Sequence, residues 1–436
     1  MGASPPPTPP PRAPYRGELR FKSITSPCEW IEDYYPGSYH PVIIGDLFDD
    51  GRYRVVRKLG EGSSSTVWLA RDLRDARYVA LKILVSKRTE SSQELQILHH
   101  LANVAPEDGA QYITQLLTEF QHHGPNGVHK CLVMEPMGPS VNSMVGELPQ
   151  FKPRLRTMNI RYPPQMARSI LKQSLQALAF LHRNGIAHGD FHPGNMLFSL
   201  TDINGYEEDV LRQVENVESQ STSPPVVRRD GKQDKWAPPY LCIAQPLGSF
   251  ASPADDFRIK LSDMGGAYYF NNPPEEPTTP AGLRAPELVL KGEVNPSLDI
   301  WSFGCLVFEL TTGQPLFCVP ALYPEAEQKE DHLLSLQERL GPLPDDLYCL
   351  WETSSQYYTP DRKLYNYQLG GVPEGEEPLE IPEQLSMEEA FDQTKPELDK
   401  EEAEKVKNLV RWILHYDPSK RPSAAEILQD PWFAGA

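Results

Sequence analysis

Two polar residues in the stretch HGDFHPGN (188–195) have the types and the spacing that phosphoryl transfer requires. Asp190 and Asn195 stand five residues apart, directly after a long apolar helical pattern. A carboxylate such as Asp190 orients an incoming hydroxyl and accepts its proton, while the amide oxygen of Asn195 suits a magnesium ion. The stretch therefore predicts a loop that transfers phosphoryl groups.

Three further motifs carry groups for the same chemistry. The segment LGEGSSSTV places Gly60 and Gly62 in a tight turn, where backbone N–H groups can approach phosphate oxygens. Lys82 lies in the apolar run YVALKIL, and Glu94 on the next helical stretch is its candidate partner. Asp263 follows the apolar run IKLS and is a second carboxylate suited to magnesium. Each motif alone is common, but together they predict a phosphate-handling site.

Two periodicities indicate the elements that position these groups. From Arg52 to about Met134, apolar and β-branched runs alternate with Gly and Asp turns, as in an antiparallel sheet. One helical segment, SSQELQILHHLAN, interrupts them. From Gln165 onward helical spacing dominates, and the run QMARSILKQSLQALAFLHRNG ends at Gly185. The sequence predicts a small β-rich lobe followed by a larger helical lobe.

Composition limits the class of protein. A chain of 436 residues with 39% hydrophobic residues can build substantial cores. Its six cysteines are widely spaced and contain no C-x-x-C pair, which indicates a reducing, intracellular compartment, the cytoplasm or nucleus. The apolar run DIWSFGCLVFEL is too short to span a bilayer, and the start has neither a signal sequence nor a myristoylation pattern. We expect a soluble protein without a membrane partner.

The net charge of -18 is concentrated in one region. Thirteen acidic residues and two lysines lie between Glu374 and Glu404. Nucleic acid is a poor partner for such a surface, because phosphate binding needs Lys and Arg. Two interpretations of the stretch stay open: a solvated, partly disordered loop that binds nothing, or a surface for a basic polypeptide.

Two segments lack a sustained pattern. Residues 1–38 begin with MGASPPPTPPPRAP and are predicted to be a disordered Pro-rich tail and lead-in. Residues from about 206 to 256 mix Ser, Pro and charges, and are predicted to be a long spacer between two ordered elements.

The motifs as a set resemble the eukaryotic protein kinases, and most of all the SR-protein kinases of the fungal group. The likeness rests on YHPVIIGDLFDDGRYRVVRKLGEGSSSTVWLARD, RAPELVL, DIWSFG and DPSKRPSAAEIL, and runs from about Tyr39 to Phe433 without the spacer. It implies an α+β, bilobal kinase fold, ATP and Mg²⁺ as cofactors, and transfer to Ser or Thr. The implied kinase domain is 39–436, with an N-lobe over about 39–136 and a C-lobe over about 137–436.

The resemblance assigns roles to single residues. Met134 would be the gatekeeper, and Glu90 is the fallback for Glu94 because the connection from Lys82 is short. Asp299 would brace the catalytic loop, and Glu287 with Arg421 would form a buried ion pair. The expected catalytic residues are Asp190, Lys82, His192 and Asn195, and the expected magnesium ligands are Asn195 and Asp263. The expected nucleotide-binding residues are Gly60, Glu61, Gly62, Ser65, Val67, Ala80, Lys82, Glu94, Met134, Glu135 and Met137.

Several positions depart from the usual kinase pattern, and one of them is Ser65, which replaces the third glycine of the phosphate-covering loop at little cost. Gly189 replaces the arginine before Asp190. This implies constitutive activity without phosphorylation of the activation segment, the loop from Gly266 to Arg284. His192 replaces the lysine that contacts the γ-phosphate, and it is either a weaker phosphate donor or a residue that fills the loop. Pro280 stands where a threonine usually helps to hold that lysine, and whether Thr279 substitutes for it stays open.

Substrate and partners follow from the resemblance and the charge. We expect basic Arg/Ser-rich proteins such as splicing factors as substrates, no direct contact with nucleic acid, and a monomer. Two alternatives remain. One is a small-molecule kinase of the aminoglycoside or choline type, whose loop also reads HGD-x-HPGN, and the other is a pseudokinase scaffold. Small-molecule kinases of these types lack the RAPE and DIWSFG motifs that this chain contains. Pseudokinases usually lose at least one catalytic residue, whereas this chain keeps Lys82, Glu94, Asp190, Asn195 and Asp263.

Overall fold

A computed structural model describes residues 18–88, 93–104, 108–151, 160–251, 256–320, 322–373 and 375–434. The chain forms two compact units. The first comprises Met1–Val104, Thr114–Pro139 and Phe198–Phe257, and the second comprises Ala105–Ile113, Ser140–Leu197 and Arg258–Ala436. Within the described ranges, every helix is too short or too polar to cross a membrane.

Short strands dominate the first part of the chain and helices the second. The strands of the described residues are β1 (Leu47–Phe48), β2 (Tyr53–Gly62), β3 (Ser65–Asp72), β4 (Arg77–Leu84), β5 (Leu116–Gly124), β6 (Gly127–Met134), β7 (Met137–Ser140), β8 (Ile186–Ala187), β9 (Met196–Ser199), β10 (Ile259–Leu261) and β11 (Tyr268–Tyr269). The α-helices are α1 (Gln93–Val104), α2 (Val141–Met144), α3 (Pro164–Arg183), α4 (Glu208–Leu211), α5 (Pro286–Lys291), α6 (Ser297–Thr312), α7 (Glu325–Leu340), α8 (Asp345–Tyr348), α9 (Met387–Gln393), α10 (Lys400–Ile413) and α11 (Ala424–Ile427). The predicted change from strands to helices is confirmed, and α3 ends just before Gly185, whose φ is 68°.

One antiparallel sheet organises the first unit. Its strands hydrogen-bond in the order β1-β2-β3-β4-β6-β5. Because successive residues of a strand face opposite sides, Val55 and Trp68 join one buried cluster while Val56 and Leu69 join another. Both faces of the sheet are thus covered, which explains the nearly continuous apolar runs of β3 and β4.

Segments outside the sheet supply much of this cover. Phe21, Ile31 and Tyr34 of the lead-in are buried, although residues 1–38 were predicted to be a disordered tail and lead-in. The predicted spacer over 206–256 contains the short helix α4, and its Leu211 and Leu247 are buried against the sheet. Apolar side chains spaced without a period can still pack, and periodicity does not detect them. Residues 1–17 and 252–255 lie outside the described residues, and the predicted lobe boundaries stay predictions.

The spacer also satisfies the backbone of β2. Beyond its two-residue pairing with β1, this strand would present a bare edge. The Gln213 N–H donates to the Val56 carbonyl at 3.0 Å, and the Lys58 N–H donates to the Gln213 side chain at 2.9 Å. The Gln245 N–H donates to the Lys58 carbonyl at 2.9 Å. The spacer therefore covers the edge of the strand that leads into the glycine turn.

Helix α6 is the centre of the second unit. Nearly all of its residues are buried, and it contacts both α3 and α10. The approach to α10 is close, because a Cβ on Gly304 would lie 2.7 Å from Cγ2 of Ile413. The predicted ion pair is confirmed: the Arg421 guanidinium donates to both carboxylate oxygens of Glu287, each at 2.7 Å, and both side chains are almost completely buried.

The acidic stretch between residues 374 and 404 is largely part of this unit. It contains α9 and the start of α10, so the interpretation as a partly disordered loop does not describe these helical parts. Several of its carboxylates form ion pairs that hold helices in place, namely Glu388 with Arg411, Asp392 with Lys407, and Glu402 with Arg168. These acidic side chains therefore stabilise the fold of the second unit.

Candidate active site

The glycine turn joins β2 to β3 in a tight hairpin. Gly60 pairs with Val67, Glu61 with Thr66 and Gly62 with Ser65 across the two strands. A Cβ added to Gly60 or to Gly62 would meet no protein atom within 4 Å. The space beside these backbones is therefore open to a ligand, and phosphate oxygens could approach the N–H groups directly.

Lys82 and Glu94 form a buried ion pair. The Lys82 ammonium lies 2.6 Å from a Glu94 carboxylate oxygen, and each residue is only 7% exposed. Lys82 is held by β4, between Val67 of β3 and Leu132 of β6, while Glu94 stands in the first turn of α1. The structure brings together the two residues that the sequence paired. The fallback Glu90 lies outside the described residues.

The residues predicted to contact the base cluster at the end of β6. Ala80 is opposite Met134 in the sheet, and Val67 lies on the neighbouring β3. The Glu135 N–H donates to the Gln115 carbonyl at 3.3 Å, and the Glu135 side chain accepts from the Gln115 N–H at 2.9 Å. These two bonds hold Glu135 against Gln115 at the position where the sequence predicted contacts to a nucleotide base. Met137 follows at the start of β7 and is mostly buried.

In the second unit, Asp299 anchors the loop that carries Asp190. Its carboxylate is 2% exposed and accepts from the N–H groups of His188 at 2.8 Å and Gly189 at 2.9 Å. The His182 ring lies 2.9 Å away on the same carboxylate. Burial alone would raise the pKa of Asp299, but these donors hold it below the usual value. The predicted brace is therefore present.

Asp190, Asn195 and His192 lie together in this loop. The Asn195 amide donates to the Asp190 backbone carbonyl at 2.9 Å and approaches its carboxylate at 3.3 Å. The amide donors thus face Asp190, which makes the Asn195 oxygen the atom that suits a cation. The other magnesium candidate, Asp263, is exposed, has a φ of 61°, and accepts from the Gly265 N–H at 3.1 Å. Aspartate adopts this left-handed conformation more readily than most residues.

The His192 ring has two roles available to its two nitrogens. Nδ1 accepts a hydrogen bond from the Gly194 N–H at 3.0 Å, so the neutral ring carries its proton on Nε2. Nε2 lies 3.6 Å from an Asp190 carboxylate oxygen, beyond hydrogen-bonding distance. The ring therefore caps the loop through one nitrogen and presents a donor beside Asp190 through the other.

Gly194 is a residue whose importance the sequence did not reveal. A Cβ at this position would lie 2.6 Å from Cε1 of His192. The ring packs on the bare backbone of the glycine, so His192 and Gly194 form one structural unit. The adjacent sequence letters H-P-G-N are the only signal that could have indicated it.

Gly189 leaves no room for the arginine that most kinases have. It has a φ of 72°, and a Cβ there would lie 2.3 Å from the Gly266 carbonyl oxygen. Thr279 donates to the Gly189 carbonyl at 2.8 Å and is buried, which ties the activation segment to the loop. Thr279 thus contacts the backbone next to Asp190, whereas Pro280 has no hydroxyl to offer.

Fold and site together define a protein kinase. The protein kinase domain family matches residues 53–206 and 250–433, so the matched region is interrupted inside the predicted spacer. A solved crystal structure of a kinase domain aligns with a TM-score of 0.59 at 21% identity, over 91% of this chain and 98% of that one. This likeness supports the fold alone.

Curated relatives identify the branch. The serine/threonine-protein kinase SRPK of Physarum polycephalum is 31% identical over 418 residues, covering 93% of this chain and 91% of the relative. A serine/threonine protein kinase of Aspergillus fumigatus is 30% identical over 429 residues, covering 97% and 95%. Human SRSF protein kinase 3 is 26% identical over 533 residues, covering 92% and 89%. The chain belongs to the protein kinase family and is a serine/threonine kinase of the SR-protein-kinase type.

Proposed function

We propose that this kinase uses ATP with Mg²⁺, phosphorylates Arg/Ser-rich proteins, and is active without phosphorylation of its activation segment. The buried Lys82–Glu94 pair is the observation that carries the proposal. Burying two charges costs free energy that a binding scaffold would have no reason to retain. Together with an open glycine hairpin, the pair supports a working nucleotide site.

The donors present fit ATP and magnesium. Gly60 and Gly62 leave open space beside their backbones, and Lys82 is the cation expected to contact the α- and β-phosphates. Asn195 and Asp263 offer the oxygen ligands that Mg²⁺ prefers. Bound Mg-ATP supplies the phosphoryl group, and Asp190 orients the substrate hydroxyl and takes its proton.

His192 is proposed to act on the transferred phosphate in place of lysine. The neutral ring has its donor on Nε2, on the side of Asp190. A neutral donor binds a phosphate oxygen less strongly than an ammonium does. We therefore expect a kinase that works, with a weaker contact to the phosphate than a lysine enzyme has.

Constitutive activity is supported by the contacts of Gly189. No arginine stands before Asp190 to await a phosphate, and the hydroxyl of Thr279 already holds the activation segment to the loop. Enzyme treated with a phosphatase should keep most of its activity. Loss of most activity after this treatment would contradict the proposal.

The substrate proposal rests on relatives and on charge. Relatives include SRSF protein kinase 3, and an acidic surface favours Arg-rich segments. Exposed acidic residues of the described chain before α9 are proposed for this role, namely Glu376, Glu377, Glu380 and Glu383. Residence inside the cell, in the cytoplasm or the nucleus, and a monomeric state belong to the same proposal. The six free cysteines support the intracellular part.

One experiment separates this function from its alternatives. The protein is incubated with Mg-ATP and, in separate reactions, an Arg-Ser repeat peptide, a generic basic peptide, and a panel of aminoglycosides and choline. Asp190→Ala and Lys82→Met serve as inactive controls. We expect transfer to the Arg-Ser peptide first, and none in either control.

Other outcomes select another function. Transfer to a small molecule but to neither peptide would identify a small-molecule kinase. No transfer and no thermal shift with Mg-ATP would identify a scaffold. Equal transfer to both peptides would retain the kinase and remove the Arg/Ser preference.

A further inference from the structure

The glycine hairpin is tied to the rest of the first unit at two consecutive residues. The Tyr39 hydroxyl donates to the Gly62 carbonyl at 2.6 Å. The Lys58 ammonium lies 3.1 Å from a Glu61 carboxylate oxygen. Tyr39 directly follows the lead-in and precedes the sheet, whereas Lys58 is part of β2. Glu61 and Gly62 are themselves exposed, so these are attachments made from the inside of the unit to a surface turn.

Lys58 is completely buried and is surrounded by partners from three segments. Glu29 of the lead-in forms an ion pair with its ammonium, and the Cys242 carbonyl of the spacer accepts from it at 3.0 Å. The Tyr34 hydroxyl donates to the other oxygen of Glu29. Burial would lower the pKa of Lys58, but the carboxylates of Glu29 and Glu61 raise it, so the ammonium stays charged. The cluster keeps a fixed positive charge beneath the hairpin.

Each attachment has a consequence for phosphate binding. The carbonyl and the following N–H of a trans peptide point in opposite directions. The bond from Tyr39 to the Gly62 carbonyl therefore fixes the direction of the Ser63 N–H, a group of the kind that binds phosphate. A free Glu61 carboxylate at this turn would repel phosphate oxygens, and the ion pair with Lys58 holds it inward and neutralises it.

We propose that Tyr39, Glu29 and the Cys242 carbonyl, the last two acting through Lys58, position the phosphate-covering hairpin for ATP. The inference rests on the proposed use of ATP and gives the lead-in and the spacer a task in nucleotide binding. A hairpin that is already ordered before ATP binds loses less conformational entropy on binding, and this strengthens the binding of ATP. Because these residues do not touch the reacting atoms, their loss should raise KM for ATP and leave kcat nearly unchanged.

The first test removes the Tyr39 hydroxyl. Tyr39→Phe should raise KM for ATP about three- to tenfold, the range of one hydrogen bond, with KM for the peptide unchanged. Tyr78→Phe is the matched control, because the Tyr78 hydroxyl also donates to a backbone carbonyl of this unit, that of Tyr206 at 3.1 Å, but not to the hairpin. The control should lower the melting temperature by a similar amount and leave KM for ATP as in the wild type.

The second test removes the charge beneath Glu61 without leaving a charge buried. The double variant Glu29→Gln with Lys58→Met keeps side chains of similar size and an acceptor for Tyr34. Exchanging a buried ion pair for uncharged groups often preserves stability, so the variant should fold. Its KM for ATP should rise more than in Tyr39→Phe, since the Glu61 carboxylate is then released.

The outcomes separate the inference from the function beneath it. If Tyr39→Phe and the double variant both keep KM for ATP within twofold of Tyr78→Phe, the residues are structural only and the inference is overturned. If wild-type protein binds no ATP in a direct titration, the proposed function fails and the inference fails with it.

Discussion

Each unit holds a glycine-containing loop by a single buried charge, but the two charges have opposite signs. In the first unit, the Lys58 cation gathers Glu29, Glu61 and the Cys242 carbonyl. In the second unit, the Asp299 anion gathers the His182 ring and the N–H groups of His188 and Gly189. The partners of Lys58 are hydrogen-bond acceptors, and those of Asp299 are hydrogen-bond donors.

The two anchors differ in where their partners come from. Two of the partners of Asp299 are backbone N–H groups of the loop itself, which any sequence provides. Lys58 depends on an acidic side chain 29 residues before it and on a carbonyl 184 residues after it. The partners of Asp299 stand 110 to 117 residues before it, but all of them lie in the regions that match the protein kinase domain family. The anchor of the first unit instead requires the lead-in and the spacer to fold onto the sheet.

Removing only the cation should have the largest effect. Lys58→Met leaves Glu29 buried without its counter-charge, so we expect the free energy of unfolding to fall by about 3–5 kcal/mol. Chemical denaturation of the variant and of the Glu29→Gln, Lys58→Met double variant measures the difference. The double variant should recover most of the loss. Equal stabilities of the single and double variants would contradict a buried, charged Lys58.

Removing only the anion should cost less stability but more catalysis. Asp299→Asn exchanges one acceptor oxygen for an amide, which leaves a buried N–H unpaired at about 1–3 kcal/mol. Because this N–H belongs to the loop of Asp190, kcat should fall about tenfold or more, the effect of a misplaced catalytic group. Asp392→Asn, which alters an ion pair on the surface of the same unit, is the control. An unchanged kcat would mean that Asp299 does not position the loop.

Acid should weaken the first unit through a buried histidine. The His40 ring contacts those of His122 and His129, and burial with these neighbours lowers the pKa of His40 to about 2. In the unfolded chain His40 binds a proton near pH 6.5. Its contribution to stability is therefore fully present above that pH and is lost as the pH falls below it. The loss approaches about 1.4 kcal/mol per pH unit for each such histidine.

Replacing this ring tests the assignment. His40→Phe should reduce the slope of unfolding free energy between pH 6.5 and 5, measured by denaturation at several pH values. Burial lowers the pKa of His332 in the second unit to about 4. His332 is unchanged in this variant and still lowers the unfolding free energy as the pH falls below 6.5. Asp299 loses its stabilising effect only in the carboxylate range, below about pH 4. An unchanged slope in His40→Phe would show that His40 is not buried as a neutral ring.

The sequence predicted what depends on local pattern. The sheet, α1, α3 and the pairing of Lys82 with Glu94 follow from periodicity and motif spacing, and the structure contains all of them. The brace by Asp299 followed from the family pattern. Each of these features is tied to a short motif, so few residues suffice to indicate it.

Long-range features outside the family pattern were not predicted. The packing of the lead-in and the spacer rests on apolar side chains such as Phe21 and Leu247, which have no regular spacing. No role was predicted for Glu29 or Lys58 from the sequence, because nothing in their neighbourhood indicates that both are buried. For the acidic stretch, a solvated loop and a surface for a basic polypeptide both stayed open, because the basic partners of its carboxylates lie elsewhere in the chain. Tertiary contacts decided each of these cases.

The smallest expected effect concerns His192, where the sequence left the question open. His192→Lys restores the usual cation but removes the acceptor of the Gly194 N–H and the ring that packs on Gly194. We expect kcat to fall about fivefold, roughly 1 kcal/mol, because the loop is built around the ring.

Gly194→Ala is the partner variant, since its Cβ would contact the ring in the wild type but not in His192→Lys. Its cost should therefore shrink in the double variant, as a double-mutant cycle measures. A rise in kcat would instead mean that histidine limits transfer, and additive costs would mean that ring and glycine do not act together.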